Sequence, residues 1–435
     1  MLNVSMTVRV LDSTGKPLAT TDRFGMVRHR LNSGEAEKVC RFPFTIRLLN
    51  KRVERVFAPP MKVGMDTGYK NVGISITTEK KELDSFEFRH RSSDVKKNLD
   101  EKRADRYGRR YRKTRYRKPR FNNRIKSKKN GWIPPSSQHM VDSHVSDLEI
   151  ALRNLPTQAI KEIYLELGRF DTKKMQNPDI EGEMYQQGDL TGFDNVKAFV
   201  RWRDGNLCQQ CTGKSGDRRI EVHHIKRRAD GGSDNPANLV CLCHTCHEKH
   251  HKGEIKLKRF NASLNTAKSL RSAAAMNVTA ERIFEEVKKR FPYAQIKKTY
   301  GYITRYNRVK NNVDKTHAND ALVISKNFNA EPSSQIIVVK RIRRHNRQLY
   351  KKNTLKHGIK KRNQAAHYVK GYALNDYVLV DKKRKGFITG RMSEGYATVK
   401  TLDGERVHEK TVVSMKRLKL IRRAKNIIYE IRNKK

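Results

Sequence analysis

Cysteine is scarce in this chain, six residues in 435, too few for disulfides to hold a protein of this length together. Four of the six form two C-x-x-C pairs, Cys208 with Cys211 and Cys243 with Cys246, a pattern that suits metal binding in a reducing compartment. Long hydrophobic runs are also missing. No stretch of about eighteen apolar residues occurs, so a membrane-spanning helix is not expected. The opening residues, MLNVSMTVRVLDSTGKPL, lack the basic-then-apolar order of a secretory signal, and the expectation is a soluble, cytoplasmic protein. Acidic residues are the third shortage: 45 Asp and Glu stand against 95 Lys and Arg, a formal charge of +50 spread along most of the length. Such a field favours a polyanion as partner, although a merely basic, ribosomal-type protein has the same composition.

Histidine, by contrast, is concentrated. Residues 221–251, EVHHIKRRADGGSDNPANLVCLCHTCHEKHH, hold six histidines and three cysteines. With Cys208 and Cys211, the pair Cys243 and Cys246 completes a four-thiolate set suited to tetrahedral zinc. Cys40 and Cys241 are left over and expected as small buried apolar residues. A zinc ion closed in by four thiolates has no open position for water, so the histidines need another role. RRIEVHHIKRR reads as a strand, ADGGSDNPA as a loop, NLVCLC as a second strand and HTCHEKHH as a helix. His247 and His251 then share a helix face, while His223 and His224 point to opposite sides of their strand. A zinc-ribbon DNA binder with incidental histidines is the plainer alternative.

These residues resemble the HNH endonuclease family, a ββα-metal unit. The resemblance implies that His223 is a metal ligand, His224 the general base, Asn238 a brace for the loop and His247 a second ligand. His251 matches an additional ligand found in part of the family. A neutral imidazole can accept a proton from water near neutral pH, and a divalent cation can offset charge developing on the phosphate.

A second group of residues is acidic and scattered along the chain. MKVGMDTGYKNVGISI, residues 61–76, reads as a buried strand ending near Asp66, a glycine-containing turn and a return strand. KEIYLELGRFD, 161–171, is another apolar strand and contains Glu166. KTHANDALVIS, 315–325, opens a helix with His317 and Asp320 on one face. A carboxylate in an apolar strand is costly unless paired with a cation. Three of them could converge on two magnesium ions about 4 Å apart. The set resembles the RuvC nuclease, a ribonuclease H-like fold, here in three pieces. That resemblance implies Asp66, Glu166 and Asp320 as metal ligands and His317 as the group acting on the attacking water.

Between these pieces, residues 96–129 are crowded with basic side chains, among them Arg103, Arg106, Arg109, Arg110, Arg112, Arg115 and Arg117, interleaved with Tyr107, Tyr111 and Tyr116. Arg can fork onto phosphates and Tyr can stack on bases, so a nucleic-acid cradle is expected, with a solvated basic face as the plain alternative. The segment resembles the arginine-rich bridge helix of RNA-guided nucleases. VLDSTGKPL and GEAEKVCRFPFTI resemble the N-terminal module of the IscB family, whose Pro-Leu-Met-Pro motif is kept only as Pro17-Leu18. Residues after 333, with alternating Val, Leu and Tyr and glycines at 386, 390, 395 and 404, suggest a small twisted β-barrel.

Taken together the order resembles the IscB family. The fold class this implies is α/β: a ribonuclease H-like RuvC core split into three segments, with an inserted ββα-metal HNH domain, a bridge helix and β-rich terminal modules. Expected boundaries are 1–58 for the N-terminal module, 59–92 for the first RuvC segment and 93–130 for the bridge helix. They continue with 131–193 for the second RuvC segment, 194–256 for HNH, 257–332 for the third RuvC segment and 333–435 for the C-terminal barrel. The resemblance implies an RNA-guided DNA endonuclease of prokaryotic cytoplasm, associated with the nucleoid when on DNA. HNH would cut the guide-paired strand and RuvC the displaced one, with Mg2+ at both sites and structural Zn2+ on the cysteines. Its partners would be a structured guide RNA and duplex DNA bearing a short flanking motif, with a monomeric protein in the ribonucleoprotein and no membrane. Two alternatives remain open: a guide-independent HNH homing or structure-specific nuclease, and a catalytically idle, RNA-bound DNA-binding factor.

Overall fold

The computed structural model describes residues 7–92, 94–95, 98–100, 102–104, 132–168, 195–230, 232–257, 271–342 and 366–434. Of the seven arginines named above, Arg103 is described and exposed on a helical stretch. Arg106, Arg109, Arg110, Arg112, Arg115 and Arg117 lie outside the described residues. The chain divides into two units, Met1–Leu167 with Thr279–Lys435, and Gly168–Val278. The histidine-rich segment thus falls in a unit inserted, in chain order, between two parts of the other.

The chain begins with β1 (Arg9–Leu11), α1 (Phe24–Asn32), β2 (Ala36–Arg41) and β3 (Phe44–Leu48). The three strands make a small sheet in the order β1-β3-β2, and Val8, Val10, Val27, Phe44 and Ile46 form its core. A turn at Thr14-Gly15 is held by the Asp12 carboxylate, whose Oδ1 accepts from the Thr14 and Lys16 amides at 2.9 Å each. Next come β4 (Met61–Asp66), β5 (Asn71–Thr78), β6 (Glu82–Arg89), α2 (Pro135–Leu152) and β7 (Ile160–Glu166).

The inserted unit contains α3 (Val196–Arg203), a hairpin of β8 (Ile220–His224) and β9 (Leu239–Cys243), and α4 (His244–Lys252). After it follow α5 (Arg271–Arg290), β10 (Gln295–Thr299), α6 (Gly301–Lys310), α7 (His317–Ile324) and β11 (Gln335–Arg341). The last segment is an antiparallel sheet of β12 (Tyr377–Val380), β13 (Arg384–Arg391), β14 (Tyr396–Lys400), β15 (Val413–Ser414) and β16 (Leu418–Arg422), followed by β17 (Ile427–Asn433).

Seven strands form the main sheet, in the order β10-β7-β4-β5-β6-β11-β17. β4, β5 and β6 are an antiparallel meander. β7 and β10 add parallel on one side of it, and β11 adds parallel on the other. Val63, Met65, Val72, Ile74 and Ile76 are completely buried, and Gly64, Gly73, Ser75 and Thr77 between them are buried too, so both faces of these strands are covered. One cover is α7. A Cβ at Gly64 would stand 2.0 Å from the Ala321 carbonyl oxygen, and one at Gly73 only 1.9 Å from that of His317. The two glycines let α7 lie with its backbone directly on the sheet.

The C-terminal region departs from expectation in one respect. β11 and β17 pair with each other and extend the main sheet, so the module assigned to 333–435 gives two strands to the core. Its remaining strands form a five-stranded sheet, order β15-β14-β13-β12-β16, and all five contribute to one core through Val378, Val380, Ile388, Val399, Val413 and Leu418. Gly386 and Gly390 lie within β13; the turn before it is made by Asp381 and Lys382, at φ 49° and 58°. Cys241 is buried as expected, whereas Cys40, on edge strand β2 beside a register shift, is only half-buried. Among the described residues no helix is long and apolar enough to cross a membrane.

Candidate functional site

Asp66 ends β4 and Glu166 ends β7, and the parallel register sets the two residues side by side, which puts both carboxylates on one face of the sheet. α7 supplies the other two groups. The Thr316 side chain caps that helix, accepting from the Asn319 amide at 3.1 Å, so His317 and Asp320 sit in its first turn. His317 Nδ1 lies 2.6 Å from Asp66 Oδ2. Arg308 Nε on α6 lies 3.1 Å from Asp320 Oδ1, and the Thr304 hydroxyl, also on α6, donates to Glu166.

Burial, with Asp66 and Asp320 close by, pushes the Glu166 carboxyl up to about 7. Burial and then Asp66 also raise Asp320, while the hydrogen bond to Asp66 raises His317. Crowded, half-desolvated carboxylates favour a proton or a bound cation, so this donor set fits a hard divalent ion such as magnesium. The structure therefore brings together all four residues predicted for this site. It adds Arg308 and Thr304, which sequence reasoning missed because α6 joins the site only through folding.

In the inserted unit, β8 and α4 face each other across a cleft of about 300 Å³ lined by His223, His224, Arg227, Arg228, His247 and His251. Ligand atoms of His223, His247 and His251 lie within 4.8 Å of one another. His223 is buried with no hydrogen-bond partner at Nε2, and burial beside four other imidazoles brings it down to about 4. Glu221 Oε2 lies 2.8 Å from His247 Nδ1, leaving His247 Nε2 to face His251 Nε2 at 3.2 Å. An imidazole braced by a carboxylate through its far nitrogen is the usual arrangement of a metal-binding histidine, and the three rings fit a divalent ion.

His224 lies outside that trio, with Nε2 2.7 Å from Asp234 Oδ1; Arg228 Nε donates to the same oxygen at 2.8 Å. Asn238 is completely buried and closes the loop. Its Oδ1 accepts from the Lys226 amide at 2.8 Å, and its Nδ2 donates to Lys226 O at 3.0 Å and to Ser233 O at 2.7 Å.

The sulfurs of Cys208, Cys211, Cys243 and Cys246 lie within 4.8 Å of one another, packed against Val240 and Leu242. Burial pushes the Cys246 thiol up. At Cys211 burial acts the same way, but hydrogen bonds from Ser215 prevail and bring it down to about 6. Four clustered thiols fit a structural zinc ion.

Two segments match known families: residues 8–188 match the RRXRR protein family, and residues 208–253 the HNH endonuclease family. The class so defined is a protein with an HNH endonuclease domain downstream of a Cas9/IscB-type arginine-rich bridge. The two matches together support an IscB/Cas9-like nuclease family for this chain.

Among curated proteins, it is 35% identical over 63 residues to the type IV methyl-directed restriction enzyme EcoKMcrA of Escherichia coli (strain K12), covering 13% of this chain and 22% of that one. It is 46% identical over 35 residues to anaredoxin of Nostoc sp., covering 8% of this chain and 46% of that protein. The chain thus spans less than half the length of either relative. Streptococcus thermophilus Cas9 in complex with the AGAA PAM superposes over 50% of this chain and 30% of that one, with 14% identity and a TM-score of 0.33. The type II-C Cas9 of Actinomyces naeslundii covers 46% and 29%, with 15% identity and a TM-score of 0.17. These superpositions are partial and loose; the family assignment rests on the two matched segments.

Proposed function

We propose that the protein is an RNA-guided DNA endonuclease with two separate phosphodiester-cleaving sites, the histidine cluster cutting the guide-paired strand and the carboxylate cluster the displaced strand. The observation that carries this reading is the presence in one chain of the RRXRR and HNH matches together with a second cluster built on the carboxylates of Asp66, Glu166 and Asp320. A meander with two parallel strands added beside Asp66 also suits a split ribonuclease H-like, RuvC-type core. A structured guide RNA would offset much of the +50 charge, and base pairing would carry sequence choice while the protein holds the backbone and reads a short flanking motif.

His223, His247 and His251 would hold a divalent ion at one site, and Asp66, Glu166 and Asp320 magnesium at the other; each ion would offset charge on the phosphate. The four cysteines would hold zinc with no position left for water. His224 keeps its Nε2 proton on Asp234, so Nδ1 is the nitrogen that accepts a proton from water. Asn238 fixes the loop that follows His224 and carries Asp234. His317, held by Asp66, orients water over the carboxylates.

The test is strand-specific end labelling of cleaved DNA, using protein purified with its co-purifying RNA. His224→Ala is expected to leave only the displaced strand cut, and Asp66→Ala only the guide-paired strand. A clean double cut by either variant overturns the assignment. The restriction-enzyme relative gives a guide-independent nuclease some support; cleavage undiminished by ribonuclease treatment would establish that reading instead.

A further inference from the structure

α6 has two unlike faces. Gly301, Thr304 and Arg308 lie along one side and serve the carboxylate cluster. A Cβ at Gly301 would stand 3.2 Å from Glu166 Oε1, Thr304 donates to Glu166, and Arg308 pairs with Asp320. Tyr302, Tyr306 and Val309 share the opposite side at helical spacing and are 73%, 67% and 67% exposed. Large side chains this exposed and contiguous need an explanation. Tyr300, just before the helix, stacks its ring parallel to that of Tyr302 at 6.1 Å and an interplanar angle of 4°. The helix sequence GYITRYNRVK contains Arg305, Arg308 and Lys310 and no acidic residue.

We infer that this outer face of α6 is a stacking platform for unpaired bases of single-stranded DNA entering the carboxylate site. The inference rests on the reading of that cluster as a phosphodiester site. Tyr302 and Tyr306 are one turn apart, about 6 Å along the axis, so each ring can take one base of an extended strand. A duplex covers its base faces with neighbouring pairs, so only an unpaired strand offers faces to these rings. The interleaved cations decide for nucleic acid over a protein partner: Arg305 and Lys310 bring positive charge to the aromatic face, the combination that holds single strands. Because the other side of the same short helix touches Glu166 and Asp320, a strand seated on the tyrosines passes one helix diameter, ~10–12 Å, from the carboxylates.

Photocrosslinking of the full chain to a single-stranded DNA carrying 5-iododeoxyuridine, with peptides mapped by mass spectrometry, tests the placement without altering the protein. The expected crosslinks fall on the peptide holding Tyr302 and Tyr306 and are lost with a duplex of the same sequence. In cleavage of the displaced strand, Tyr302→Ala and Tyr306→Ala should each raise KM about five-fold or more, with kcat little changed, while Tyr302→Phe and Tyr306→Phe behave as wild type. Crosslinks confined to other segments, equal crosslinking by duplex, or an unchanged KM in the alanine variants overturns the platform. The two readings fail separately. Displaced-strand cutting that survives Asp66→Asn removes the carboxylate site, yet leaves the crosslinks as evidence for strand binding; absent crosslinks remove the platform and leave the Asp66 result standing.

Discussion

His144 on α2 shows how much a single residue can carry away from either site. Its ring is completely buried, with Nδ1 donating to Met140 O at 2.8 Å and the His90 ring edge-on at 4.7 Å. Burial, reinforced by His90, holds it neutral and brings it down to about 4. The folded value lies below the unfolded one, so the unfolded chain binds a proton that the folded chain refuses. The associated stability is whole above about pH 6.5 and is lost as pH falls toward 4, by about 2 kcal/mol between pH 7 and pH 5. Denaturant titrations at the two pH values should show His144→Phe losing less stability on acidification than wild type by about that amount. Glu221 offers a second test. Glu221→Gln should weaken divalent-ion binding at the histidine trio about 10- to 100-fold, read by calorimetric titration with Mn2+, while zinc content stays unchanged. Glu221 was legible in principle, since strand alternation puts it on the same face as His223. Asp234 and Arg308 were not, because a loop and a separate helix bring them into place.

At the level of elements, the acid site depends on how closely α7 approaches the sheet. Gly73→Ala would place a methyl group into the His317 carbonyl, so the helix must lift or the strand must bend. The expected cost is about 1–3 kcal/mol, measured as a lower urea midpoint, together with loss of displaced-strand cutting and retention of guide-paired-strand cutting. The strands and helices bearing the candidate residues were readable because each has a local signature: the apolar runs ending at Asp66 and Glu166, the Thr316 cap, the strand–loop–strand–helix order around the histidines. β11 and β17 were placed in the wrong layer because a strand's partner is set by register with residues far along the chain, as Ile337 with Phe86. Gly386 and Gly390 illustrate the converse: glycine commonly marks a turn, yet both lie within β13, and at Gly386 a Cβ would press on Val407 at 2.6 Å.

Across the whole molecule, the two units differ in what holds them. The unit of Gly168–Val278 packs around four thiols, and binding energy for a structural zinc is folding energy. Chelation is expected to unfold the β8–β9 hairpin and α4 and to release one zinc per chain, while the unfolding transition of the seven-stranded sheet stays in place; a calorimetric scan with and without chelator reads both. The sheet has a different dependence, on chain order. Its strands come from residues 61–89, 160–166, 295–299, 335–341 and 427–433, whereas the histidine cluster is complete within one continuous stretch. During synthesis on the ribosome, the inserted unit is ready to fold while His317 and Asp320 are still untranslated. A message cut short after the histidine segment would yield a chain holding one set of ligands in full and the other lacking its helix.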